Sequence, residues 1–173
     1  MPDLQTLADL AEVIGGATVV FGVGFGMLQL REFRLQRATT ASIDLIQSIQ
    51  GPDYSKAVGL VHKLPDGVRA NALRELGAEF EEAALMIGIT FETIGLVTFR
   101  RVVPFSVVQD LVGGITLSMW RKLGVWTEEV REEQGHDTWL EWFQWLAERL
   151  REQGSARGGE PAYRAFARWR PRG

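Results

Sequence analysis

The sequence predicts an all-α protein: one N-terminal transmembrane helix, a cytoplasmic bundle of five or six helices, and a basic C-terminal tail. Three observations carry that expectation. Val13 to Leu30 is an 18-residue run without a charge. The rest of the chain repeats its apolar residues at helical spacing and nowhere alternates with period two for long. From Gly154 the composition turns to glycine, alanine and arginine, with five arginines against one glutamate. The organisation expected is 1–30 as N-terminal segment and anchor, 31–152 as helical domain, and 153–173 as tail.

The anchor comes first. As a helix its run spans roughly 27 Å, close to the hydrocarbon thickness of a bilayer. Asp3, Asp9 and Glu12 precede it, and Arg31, Arg34 and Arg37 follow it. That arginine bias places the following segment in the cytoplasm and the short N-terminus outside. A secretory leader fits poorly, because the leading residues are acidic and the run ends in Gln29, Leu30 and Arg31. A buried helix of a soluble protein fits poorly too, because no polar face exists between Val13 and Met27. Ala11, Gly15, Thr18, Gly22 and Gly26 recur on one face, and Gly22 with Gly26 forms a GxxxG pair. Small residues at this spacing let two helix backbones approach closely, so a partner helix or a second copy of the chain is expected there.

Helical spacing continues after the anchor through Leu35, Ser42, Ile43, Ile46 and Ile49, until Gly51 and Pro52 stop it. Asp53–Leu64 reads as a short amphipathic helix with Tyr54, Val58, Val61 and Leu64 inward, closed by the turn Pro65, Asp66, Gly67. Val68–Arg101 reads as one long helix, acidic at first and then apolar except for Glu92. Ser106 and Gln109 have capping-box spacing and open a helix expected to run to Lys122 and stop at Gly124. Gly113 and Gly114 within it mark a close helix crossing. A further helix is expected over Thr127–Gln134, ended by Gly135. Asp137 then caps a helix over Trp139–Glu152 whose core face is Trp139, Phe143, Leu146 and Leu150. Ala83–Phe99 and Val102–Trp120 are apolar enough to be weighed as further spans, but each holds a carboxylate, Glu92 or Asp110, and the bundle interior explains them better.

Chemistry is hard to place on this chain. It has 173 residues, a formal net charge of -3, no cysteine, and only His62 and His136 as histidines. Thiolate metal sites, cysteine nucleophiles and disulfides are excluded, and a multi-histidine metal centre is not expected. The glycines of 22–26 lie inside an apolar helix, not after a strand, so they are no phosphate loop. Only His136 has an acid three residues before it, Glu133, whereas a di-iron bundle site requires two such pairs. No catalytic residue, cofactor or metal is therefore expected. Glu92 and Asp110 are expected as buried structural acids, paired with a helix N-terminus or with Arg100, Arg101 or Arg121.

The aromatic residues offer a partner surface. Trp139, Trp142 and Trp145 step along one side of a helix, and Trp142 and Trp145 flank its core face. In the tail, Tyr163, Phe166 and Trp169 share a face of a short helix expected around Ala162–Arg170, interleaved with Arg164 and Arg168. Such a face suits anionic lipid or an acidic partner, and an acidic chain makes nucleic acid a poor third.

From Phe33 to about Leu150 the chain resembles a widespread family of small bacterial proteins known only as a domain of unknown function. The residues that carry the likeness are Arg31 to Arg34, Gly51 to Tyr54, Phe91 to Gly95, Val112 and Gly113 with Trp120, Trp142 with Phe143, and Leu146 with Ala147. The resemblance implies an N-terminal anchor and a helical cytoplasmic domain; it implies no activity. The expected function is a non-enzymatic accessory subunit of an integral membrane complex, with an energy-transducing complex, respiratory or photosynthetic, as a plausible host. The alternative is a membrane-tethered signalling or defence module that binds a soluble protein or nucleic acid. The expected location is the bacterial inner membrane.

Overall fold

A computed structural model describes residues 22–27, 29, 40, 51–156 and 162–171. All regular structure among them is helical, without a strand. The chain divides into two compact units, Met1–Ala41 and Ser42–Gly173. In the first, residues 22–27 are helical. Gly15, Thr18, Arg31, Arg34 and Arg37 lie outside the described residues, and so does most of the expected span.

The second unit carries α1 (Pro52–Lys63), α2 (Ala70–Glu75), α3 (Ala78–Phe99), α4 (Phe105–Gln134), α5 (Glu141–Ala156) and α6 (Ala162–Ala165). The apolar helix α3 is the centre of the bundle. It packs most extensively against α5 and α1, while α5 also lies on α4, and α2 leans on both α3 and α4. Ile87, Phe91 and Ile94 are spaced four and three apart, so α3 turns them to one side, where all three are buried. Phe91 stacks on Phe143 of α5 at 5.1 Å, and Trp120 of α4 meets the same ring edge-on at 5.0 Å. These contacts join three helices through one aromatic core. The buried threonines need no outside partner. Thr98, Thr116 and Thr127 each donate to the carbonyl four residues back, at 2.6, 2.8 and 2.9 Å.

Among the described residues, α3 is the one helix long and apolar enough to cross a membrane, and 44% of its most apolar window is buried inside the fold. Its buried side is the central packing surface of the bundle, and Leu85, Met86, Ile89 and Leu96 remain exposed on the other.

Several element boundaries differ from the sequence expectation. The helix read over Val68–Arg101 is two helices, because Gly77 sits at φ 100, where an L-residue is strained and an α-helix cannot continue. Gly124 does the reverse and lies inside a continuous 30-residue α4. A Cβ there would meet the Trp120 ring at 3.3 Å, so this glycine makes room for an indole. The α1–α2 loop docks beside it, with the Gly67 and Val68 amides donating to the Arg121 and Lys122 carbonyls at 2.9 and 3.0 Å. Ser106 is not a cap: α4 starts at Phe105 behind Pro104, whose fixed φ already suits the residue before a helix. Asp137 is not a cap either. Residues 137–140 form a turn, and α5 begins at Glu141. Its innermost N-terminal residue is Leu140, 3% exposed, while Trp139 is half-buried. Gly113 is a close crossing, 3.3 Å from Leu150 as an alanine would be, but Gly114 faces open space.

Candidate functional site

Two glycines build a close contact between α3 and the start of α5. Gly88 and Gly95 are seven residues apart, hence on one face of α3. A Cβ on Gly88 would lie 2.7 Å from Leu140 Cδ1, and one on Gly95 only 2.2 Å from the Trp142 carbonyl oxygen. The missing side chains let the start of α5 press into α3. Leu140 takes a left-handed φ of 54 to enter this notch.

Glu92 lies between the two glycines on the same face, and α5 therefore begins against its carboxylate. The Phe143 amide donates to Glu92 Oε2 at 2.9 Å, and the Trp142 amide also reaches the carboxylate. Glu92 thus caps a helix from a neighbouring helix, satisfying amides that have no partner within α5. Burial raises its carboxyl above the ordinary value, and the two amides pull the other way. No arginine of α3 or of the α3–α4 loop pairs with it. The nearest cationic influence is Arg131, which ties α4 to the start of α5 through the Trp139 carbonyl at 2.7 Å and Gln144 at 2.6 Å. The second acid behaves otherwise. Asp110 is exposed on α4, not buried, because its position on the helix turns away from the Val108 and Val112 core face.

Below Glu92, Phe99 meets both exposed-side tryptophans of α5, Trp142 at 4.5 Å and Trp145 at 5.7 Å, and these are 6.1 Å from each other. Trp142 and Trp145 are accordingly half-covered by an intramolecular contact. The chain then turns sharply. The Arg101 amide donates to the Thr98 carbonyl and the Val102 amide to the Val97 carbonyl, both at 2.9 Å. This two-bond ending places Arg101 at φ 57. The turn and α5 enclose a surface cavity of about 560 Å³. Phe99, Val103, Phe105 and Trp145 supply apolar wall, and Arg101, Arg149 and Glu152 supply the charges. Sequence reading offers Arg101 only as a partner for Glu92 and does not single out Phe99 or Arg149. The only trace of the cavity there is an arginine pair at a helix end, just before Val102, Val103 and Pro104.

Tyr163, Phe166 and Trp169 are 71%, 67% and 67% exposed. The helix that carries them is shorter than the sequence implies, Ala162–Ala165 followed by turns, so the three rings do not share one regular helical face. Arg164 and Arg168 are exposed, and the Arg164 guanidinium sits 5.5 Å from the Tyr163 ring centre. Gly22 and Gly26 are helical, and neither has an atom within 4 Å of where a Cβ would stand.

Among the described residues no group of three or more acids or histidines is placed to hold a metal ion. Among the described residues the chain is, by class, an all-helical bundle that carries an arginine-bearing apolar cavity. The chain belongs to the family of a domain of unknown function, DUF4760, whose family model matches residues 10–150. That match ends at Leu150, a buried residue of α5. No curated protein and no solved structure matches the chain.

Proposed function

We propose that the chain is a non-enzymatic, single-pass accessory subunit of a larger membrane protein complex, anchored by residues 13–30 with its helical bundle on the cytoplasmic side of a bacterial inner membrane. The observation that carries this reading is an uncovered apolar helix. Over residues 22–27 the chain is helical and uncharged, yet Val23, Phe25 and Met27 are 56%, 63% and 67% exposed. Gly22, Gly24 and Gly26 stand open beside them. Water is a poor neighbour for such a segment, whereas lipid and a close-packed membrane helix are good ones. The arginines that follow favour the cytoplasmic side for the bundle. An energy-transducing complex is a host that collects subunits of this form.

The test is fractionation of the native membrane. The chain should stay in the membrane after alkaline wash and, in mild detergent, comigrate on a native gel with a large complex at fixed stoichiometry. Release by the wash would remove the anchor. Migration as a free monomer or homodimer would remove the accessory role and favour a tethered signalling module.

A further inference from the structure

The turn that closes α3 is of the kind that proteins usually complete with glycine, because a Cβ at left-handed φ crowds its own carbonyl. Here the position is Arg101, at φ 57. An arginine at such a position is disfavoured relative to glycine. The exposed side chain does not repay this locally, since no ion pair or side-chain hydrogen bond joins it to any described residue. Across the cavity, Arg149 is only half used. Its Nη2 lies 2.9 Å from Glu152 and 3.8 Å from Glu148, but its Nε is buried with no acceptor. The Arg149 side chain is nevertheless 42% exposed, so its guanidinium can donate a charge-assisted hydrogen bond to an anion brought from outside. Two arginines against one glutamate leave the cavity lining with one net positive charge.

The rest of the wall is apolar, and that decides the ligand class. A small inorganic anion would leave Phe99, Phe105 and Trp145 facing water. A neutral apolar molecule would leave the exposed Arg101 guanidinium without a partner. We infer that the cavity binds an anionic amphiphile, with an apolar chain against the aromatic wall and a carboxylate or phosphate head on Arg101 and Arg149. A volume near 560 Å³ is within the usual range for a site that encloses one small ligand. The site belongs to the bundle and stands whether or not the chain is anchored.

The test uses the full chain in neutral sugar-detergent micelles. ω-Bromodecanoate quenches indole fluorescence on contact, and the Trp145 signal is the difference between the native chain and Trp145→Phe. Quenching by the acid should saturate, and its uncharged methyl ester should need about tenfold more. Arg101→Gly should raise the half-saturating concentration of the acid about tenfold, leave that of the ester unchanged, and raise the melting temperature. Arg149→Gln should weaken the acid in the same way. Because both probes enter micelles alike with every variant, these differences report the protein. Decyl phosphate should displace the bromo acid and inorganic phosphate should not. Equal binding of acid and ester, unchanged binding by Arg101→Gly, no saturable quenching of Trp145, or displacement by inorganic phosphate would each overturn the inference.

Discussion

Gly95 permits no side chain. Its Cβ would stand 2.2 Å from a backbone oxygen, and backbone can yield only by moving α5. Gly95→Ala should therefore destabilise the fold by about 3 kcal/mol, read as a lower denaturant midpoint. Gly114, also helical but open, should respond oppositely, with Gly114→Ala gaining about 0.5–1 kcal/mol. At Glu92 the sign depends on pH. A carboxyl whose value is raised in the folded chain holds its proton better there than in the unfolded chain. Its contribution is complete below the ordinary value of 4.5 and is lost as the pH rises through the folded value. Glu79, Glu129 and Glu133 are lowered and work the opposite way, so the readout is a difference. Glu92→Gln keeps an oxygen for the Phe143 amide and removes the titration. Native protein should lose stability relative to this variant as the pH rises from 4.5 toward neutral.

α2 has six residues and no capping side chain of its own. A helix that short does not persist alone. It is held by Glu129 of α4, which accepts from the Ala70 amide at 2.7 Å and from Arg69 at 2.6 Å, and by Glu133, which pairs with Arg74. Glu129→Ala should speed amide hydrogen exchange in α2 while α1 and α3 keep their protection. The same dependence on distant residues sets what the sequence reveals. Helical periodicity marks α1, the apolar α3 and the face of α5 well, because burial of one side is written into residue spacing. Gly77 and Gly124 are indistinguishable by that signal. One breaks a helix through its φ and the other passes under Trp120, and only the packed chain separates them. Glu92 stands out as an acid in an apolar run, but its partner amide is 51 residues away. The cavity depends on the handedness of Arg101, which no spacing encodes.

At the scale of the molecule, the exposed rings of the tail and the absence of α6 from the main helix contacts separate it from the bundle core. Removing residues 157–173 should leave the melting temperature of the bundle within about 2 °C and, if the proposed accessory role holds, reduce comigration of the chain with the larger complex in the native gel. A drop of many degrees would make the tail an internal strap. The Glu92 contact also has a kinetic meaning. The α4–α5 corner is tied by Arg131 to residues 8 and 13 positions away, so it closes a short loop. The Glu92 cap closes a loop of 51 positions, and longer loops close later in folding when nothing local holds them. Substitutions at the corner should therefore slow refolding, whereas Glu92→Ala should leave the refolding rate nearly unchanged and accelerate unfolding, the two limbs being read separately by stopped-flow mixing. On that account the seam between α3 and α5 forms after the α4–α5 corner and parts before it, so its hold bears on how long a folded molecule survives.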